Sequence, residues 1–524
     1  MNNENENPIV YFTGAGPGDP NLLTLRAKEI IESCDVIVYD HLVSKEILDF
    51  VVGARLTASL QIYAGRVGYK PEESINIKEV CDLLLDLSRK YKKICRLKGG
   101  DPNVFGRLGE EAVFLKEHKI DFEIIPGVSS ITAVPAYAGI PLTHRDAASS
   151  FVVLTAQGDP ENDEDRIRWE NFDALNSTLV ILMGTKKLPK IINKLIELGR
   201  DKNTPLAVIH WGTTSNQKTF VTTLGNAVCR TEVTSLLQEV KPPSIIVIGT
   251  VVNYREILNW YETKSLFGKK ILITRSKEQS VSFASKLIKE GAKPILCPIV
   301  NYKLNEKEIY NKKIVNNISS YNWIFFTSQN AVRFFFEILK KNCFDSRALS
   351  GTKIATVGYK TKSELLKYNI NSDFTPKKFS FNDLIRELSE IEDLESKSIL
   401  YPTQVETCHG MSLQTITTWP IYTANFAENL DDTIINQIKS GVDIVTFFSS
   451  NTVEYFAKLL QKYDLQKDIN NALLAVIGDE TAKTTKELFG KVDIIGDEYT
   501  EDGLINAIKN HYEKSFKIPS TTPS

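Results

Sequence analysis

The sequence predicts an α/β protein built from two successive halves, the second of which repeats its own pattern. Three observations carry this expectation. Short apolar runs rich in β-branched and aromatic residues alternate with stretches of helical spacing along the whole chain. Several of the runs stop at glycine, at Gly14, Gly99, Gly184 and Gly212. Beyond about residue 268 the pattern repeats, as Asn322–Val332 recurs at Asp443–Val453 and Lys353–Thr361 at Leu473–Thr481.

A chain of 524 residues is too long for a single core. Its 63 lysines and arginines balance 65 acidic residues, so no basic excess favours nucleic acid. The seven cysteines are scattered and never form CxxC, which suits a reducing compartment and disfavours disulfides, structural zinc or an iron–sulfur cluster. No metal site is expected. Met1–Asn7 is polar and acidic, unlike a secretion signal, and no apolar run reaches the ~18 residues of a membrane span. A cytoplasmic location follows.

In chain order, Ile9–Thr13 reads as a strand, Gly14–Pro20 as a glycine loop and Asn21–Ile31 as a helix. This invites the dinucleotide fingerprint G-x-G-x-x-G, but Asp19 stands where the third glycine belongs. Pro17 also removes an amide that a pyrophosphate would need. Asp35–Asp40 is the next strand, and Asp40 is either a helix N-cap for the segment from Leu42 or a general base. Gly65–Gly68 is a loop and Ile77–Leu87 a helix. Lys93–Leu97 is a strand halted by Gly99 and Gly100, with Asp101 as an acceptor just past its end. Phe122–Ile125 and its turn lead to Ser129 and Ser130. Four more strands follow at Phe151–Thr155, Leu179–Gly184, Leu206–Gly212 and Ile245–Gly249, with a helix between Lys186 and Gly199. A cluster of strand-ending glycines suggests a flat pocket made largely of backbone. Met183 on its own reads as core packing.

Four ordered stretches, Gly14–Thr24, Tyr39–Asp40, Arg96–Pro102 and Pro141–Asp146, resemble the uroporphyrinogen-III C-methyltransferases over about residues 8–260. The resemblance implies two α/β subdomains with S-adenosyl-L-methionine in the cleft between them, and dimethylation of uroporphyrinogen III to precorrin-2. It implies donor contacts from Pro17, Gly99, Gly100, Asp101, Val104, Ser129, Ser130, Met183 and Gly212, with Asp40 as general base. A dimer through this half is also implied. Two positions depart from the family pattern: His41 replaces an arginine, and Gly65 stands where the family has a proton-donating lysine. Either Arg66 does the electrostatic work in its place or the lysine is not essential. Arg107 and Arg145 are candidates for binding the polycarboxylate substrate.

Residues 261–268 read as a linker too short to be a floppy tether. Residues 269–512 resemble uroporphyrinogen-III synthase through Leu272–Arg275, Phe326–Val332, Val357-Gly358-x-x-Thr361 and Ile477-Gly478-x-x-Thr481. The resemblance implies two lobes, one of about 269–303 and 422–512, the other of about 304–421. It also implies cyclisation of hydroxymethylbilane with inversion of the last pyrrole. Hydroxyl residues after strands usually cap helices, but their repetition in both lobes suggests a cleft offering neutral hydrogen bonds. Thr361, Ser449, Ser450 and Thr481 would then hold carboxylates, and Tyr422 would assist departure of the hydroxyl. Precorrin-2 would pass on to sirohaem or cobalamin synthesis. The competing expectations are a nicotinamide oxidoreductase in the first half, disfavoured by Pro17 and Asp19, and a non-catalytic two-lobed ligand sensor in the second.

Overall fold

A computed structural model describes residues 7–48, 60–65, 75–156, 177–228, 241–377, 380–405 and 415–516. Its strands form four five-stranded sheets. The first contains β1 (Ile9–Gly14), β2 (Val36–Tyr39), β3 (Leu60–Tyr63), β4 (Lys93–Lys98) and β5 (Asp121–Ile125) in the order β3-β2-β4-β1-β5. All its pairings are parallel. Both faces are covered, Val10, Phe12 and Val38 packing on one side and Ile37, Cys95 and Leu97 on the other. Such strands read as near-continuous apolar runs, and for that reason they are visible in the sequence.

The second sheet contains β6 (Phe151–Thr155), β7 (Thr178–Leu182), β8 (Pro205–His210), β9 (Lys218–Thr223) and β10 (Ser244–Ile248), ordered β6-β7-β10-β8-β9. Only β6 and β7 run parallel; the other three pairings are antiparallel. The sequence reading has no counterpart to β9, because the edge strand Lys218–Thr223 is threonine-rich, only partly buried and has no fully buried residue to mark it. The expected helix before Gly199 is Leu188–Glu197, and Gly199 takes the left-handed turn (φ 98°) that ends it.

In the second half, β11 (Lys270–Ile273), β12 (Lys293–Leu296), β18 (Ile444–Phe447), β19 (Leu473–Val476) and β20 (Ile494–Ile495) form a parallel sheet ordered β12-β11-β18-β19-β20. The intervening β13 (Val300–Leu304), β14 (Trp323–Phe326), β15 (Lys353–Thr356), β16 (Ile399–Gln404) and β17 (Ile416–Phe426) form the fourth, ordered β13-β17-β16-β14-β15. The repeat seen in the sequence is structural: β14 and β18 each lead into a 13-residue helix, capped by Ser328 and Ser449 respectively. The lobe boundaries differ from the expected 303 and 422. Strands β13 and β17 pair antiparallel from Val300↔Phe426 to Leu304↔Tyr422, so both crossings between lobes lie outside that ladder. All of Val300–Leu304 and Ile416–Phe426 therefore belongs to the inserted lobe.

The segment between the halves is packed on both sides. Tyr261 is buried, stands edge-on to Tyr137 at 4.7 Å and donates from its hydroxyl to the Thr213 carbonyl. Glu262 accepts from Gln217 Nε2 (2.7 Å), Thr219 Oγ1 (2.6 Å) and Arg255 Nη2 (2.5 Å). Leu266, a few residues on, is fully buried in the core of the second half against Ile271 and Phe283. No helix among the described residues is long and apolar enough to cross a membrane.

Candidate active sites

In the first half the carboxyl ends of β1, β4 and β5 meet backbone to backbone. A Cβ on Gly127 would lie 2.3 Å from the Gly100 carbonyl oxygen and 2.8 Å from the Gly14 Cα. Only glycine permits three loops to close this tightly. Gly16 and Gly100 exchange amide hydrogen bonds of 2.8 and 3.2 Å. Asp101 binds the loops together, accepting from the Asn103 amide (2.8 Å) and the Gly127 amide (3.3 Å), while Val104 donates its amide to the Asp101 carbonyl. Gly100 itself, at φ 69°, would place a Cβ near nothing closer than the Ser130 nitrogen at 3.8 Å, so that side is open. Gly127→Ala is expected to cost about 1–3 kcal/mol through overpacking and to weaken donor binding in parallel, read by thermal unfolding and by titration calorimetry with S-adenosylhomocysteine.

The second subdomain closes on this floor. Ser129 caps the helix Ser130–Tyr137, whose Val134 lies against Gly212, where a Cβ would come within 2.3 Å. Asp19 reaches across, accepting from the Tyr137 hydroxyl at 2.8 Å, while its amide donates to Thr213 Oγ1. Pro17 stands half-buried between Gly16 and Gly18 in the same loop. Thus Pro17, Gly100, Asp101, Ser129, Ser130 and Gly212 lie on connected loops. The missing Cβ atoms of Gly99 and Gly212 are accounted for by their own neighbours, Leu42 and Val134. Met183 is not core packing: it ends β7 with φ 57° and 47% of its surface exposed. Phe105, Arg107, Trp211 and Thr213 also have positive φ, so five of the nine such non-glycine residues described follow strand ends of this half. Backbone strain of this kind gathers at binding sites.

Beside the floor, Asp40 is not a helix cap. Ser44 takes that role, its Oγ accepting from the Ile47 amide. Asp40 instead accepts from Arg96 Nη2 at 2.5 Å, with Lys98 Nζ 3.8 Å away. Arg96 and Lys98 are both buried, and both also bind Glu111, which is 1% exposed. Burial alone would favour neutral Arg96, but the Asp40 and Glu111 charges outweigh it and hold the guanidinium charged. Sequence reading missed this four-charge network. Its trace is a pair of cations, Arg96 and Lys98, at alternate positions after the apolar Ile94 and Cys95 of β4. Arg107 is exposed and paired with Glu110 at 2.5 Å, and Arg145 is exposed in the turn after His144. Gly65 packs against the Tyr63 ring, and the Tyr63 hydroxyl meets His41 Nδ1 at 3.4 Å. Arg66 lies outside the described residues.

In the second half, Tyr422 is buried, stacks on Phe334 at 5.4 Å and shares a 3.1 Å hydrogen bond with Ser328 Oγ. Burial pushes its phenol up to about 12, so it remains a proton donor through the neutral range. Ser449 accepts the cap bond from the Thr452 amide, and Ser450 donates to the Glu480 carbonyl. Thr361 and Thr481 are buried near the starts of their helices. Among the described residues no group of histidine, cysteine and carboxylate side chains could hold a metal.

A glycine-floored crevice between two unlike sheets, followed by a two-lobed clamp with a buried tyrosine, defines a two-site enzyme class acting on large polar ligands. The family described as tetrapyrrole (corrin/porphyrin) methylases matches residues 9–228, and uroporphyrinogen-III synthase HemD matches residues 281–506. The porphyrin biosynthesis protein HemD of Ruminiclostridium josui is 35% identical over 96% of this chain and 98% of its own. A uroporphyrinogen-III C-methyltransferase of Bacillus subtilis (strain 168) is 47% identical over 49% of this chain and 95% of its own. A crystal structure of the Thermus thermophilus uroporphyrin-III C-methyltransferase with S-adenosyl homocysteine shares 35% identity over 46% of this chain and 92% of that one, with a TM-score of 0.38. The chain belongs to the tetrapyrrole methylases in its first half and to the uroporphyrinogen-III synthases in its second.

Proposed function

We propose that the chain is a bifunctional tetrapyrrole enzyme: the second half closes hydroxymethylbilane to uroporphyrinogen III, and the first half dimethylates that ring to precorrin-2. The observation carrying the methyltransferase reading is the open face of Gly100 on a backbone floor, with Asp40 alongside. A flat adenosine can lie where no Cβ intrudes, so the residues fit S-adenosylmethionine, which supplies a methyl group on a sulfonium. Pro17, Gly99, Gly100, Asp101, Val104, Ser129, Ser130, Met183 and Gly212 hold it. Most of the rate gain comes from holding the donor and the pyrrole carbon in line at about 3–3.5 Å. Asp40 takes the proton that the pyrrole must lose once its carbon has been alkylated, and Arg66, Arg107 and Arg145 meet substrate carboxylates.

In the second half the chemical demand is orientation, because unassisted ring closure gives the uninverted isomer. Tyr422 donates to the departing hydroxyl, while Thr361, Ser449, Ser450 and Thr481 hold side-chain carboxylates. Domains of 8–260 and 269–512 joined by 261–268 follow from this reading. Free cysteines at 34, 81, 95, 297 and 343 suit the cytoplasm, and a homodimer through the first half is testable by sedimentation.

Full-length protein given hydroxymethylbilane should yield the type III ring, and added S-adenosylmethionine should convert it to a dimethylated chromophore. Type I product alone would refute the synthase assignment. Tyr422→Phe is expected to lower the cyclisation kcat by up to about 10²-fold, the low end for a general acid. A phenol near 12 loses its proton only above the neutral range, so the wild-type rate should show no titration of this group below about pH 11.

A further inference from the structure

One carboxylate bridges the lobes of the second half. Glu501 begins the last helix of the lobe built on β11, and its Oε1 lies 2.6 Å from Arg275 Nη1, just past the end of β11. The same oxygen lies 3.5 Å from Lys360 Nζ, on the helix Tyr359–Leu366 of the inserted lobe. Lys286 approaches from the side at 3.6 Å but is also bound by Asp502 at 2.8 Å. Three cations therefore share two carboxylates, and the pair that faces across the lobes, Arg275 and Lys360, shares one.

That balance leaves positive charge uncompensated. Burial pulls Arg275 and Lys360 below their ordinary values, and the single carboxylate between them does not make up the difference. For Glu501, burial would raise the carboxyl, but Lys360, Arg275 and Lys286 together lower it, so it remains ionised at neutral pH. The Arg275 guanidinium lies over the Phe448 ring at 4.3 Å, just before the Ser449 cap. Its charge also acts on Tyr302, whose ring is 6.0 Å from Tyr422. Arg275 is thus linked through Tyr302 to the tyrosine assigned to hydroxyl departure.

We propose that Arg275 and Lys360 form the anchor for one acetate or propionate carboxylate of the linear tetrapyrrole, and that Glu501 occupies this anchor in the free protein. The anchor deepens the synthase assignment and rests on it. The cleft therefore does not rely on neutral hydroxyl donors alone. A substrate carboxylate joins the under-compensated pair from the cleft side, and because the two cations belong to different lobes, its binding draws them onto one end of the substrate. Control over which carbon closes the ring then begins with a charge-assisted grip.

The test uses the full chain and two probes, hydroxymethylbilane under turnover and uroporphyrin I at equilibrium. Arg275→Met and Lys360→Met should each raise KM about tenfold, with the larger part of the loss in KM rather than kcat. They should weaken uroporphyrin I binding to the same degree. Arg275→Lys and Lys360→Arg should restore most of it. Glu501→Gln removes the resident competitor and should lower KM severalfold. Thermal unfolding of the full chain, together with a cyclisation kcat close to wild type, reports that the second half of each variant is folded. Methionine variants with wild-type KM and wild-type uroporphyrin affinity overturn the anchor, as does Glu501→Gln raising KM as they do. Uroporphyrin binding that depends on Arg275 and Lys360, in a protein that leaves only type I product, supports the anchor and overturns the synthase assignment instead.

Discussion

Glu111→Gln is expected to destabilise the first half by about 3–5 kcal/mol, the cost of removing one partner from a buried ion pair. Glu111 uses both oxygens, one for Arg96 Nε at 3.0 Å and one for Lys98 Nζ. Glutamine keeps one acceptor but no charge, leaving two buried cations to Asp40, which is 24% exposed and 3.8 Å from Lys98. Neither cation can reach solvent from the strand that holds it. Urea unfolding followed by tryptophan fluorescence measures the loss. The double variant Lys98→Met/Glu111→Gln should recover much of it, because the remaining Arg96–Asp40 pair is neutral overall. A double variant no more stable than Glu111→Gln alone would show that charge balance is not what holds the site.

The second large effect is on chemistry. Asp40→Asn is expected to lower methyl transfer by about 10²–10⁴-fold, the usual contribution of a general base, while donor affinity changes little. The separation follows from position: Asp40 ends β2, whereas the floor is made by Gly14, Gly100 and Gly127. Single-turnover methylation and calorimetry with S-adenosylhomocysteine read the two quantities independently. Loss of donor affinity in proportion to rate would move Asp40 from proton transfer to maintenance of the floor.

How much of this was legible depends on what each residue needs as a partner. Strands covered on both faces announce themselves as apolar runs, and glycines announce a missing Cβ, so four strands of the first sheet and its floor could be read directly, but not the exposed edge strand Leu60–Tyr63. What the glycine is for could not. Gly99 and Gly212 read like ligand contacts, and each also has a packing reason to lack a Cβ, against Leu42 and Val134. Arg96 and Lys98 read as part of a strand, because the charge that answers them, Glu111, is on a helix beyond the turn. Met183, a donor contact by resemblance, read as core when taken alone because an isolated methionine usually is, and a positive φ is invisible in composition. In the second half the repeat was plain. Where the chain crosses between lobes was not, since the β13–β17 ladder is set by register rather than by residue type. The Glu501 anchor joins residues 275, 360 and 501, and no local pattern links positions so far apart.

The short joint has a practical consequence for dissecting the enzyme. Tyr261 and Glu262 seat in one half and Leu266 in the other, so only a cut between residues 262 and 266 leaves each core its own plug. Pieces divided on either side of that window would each lose or gain an apolar residue that belongs to the other.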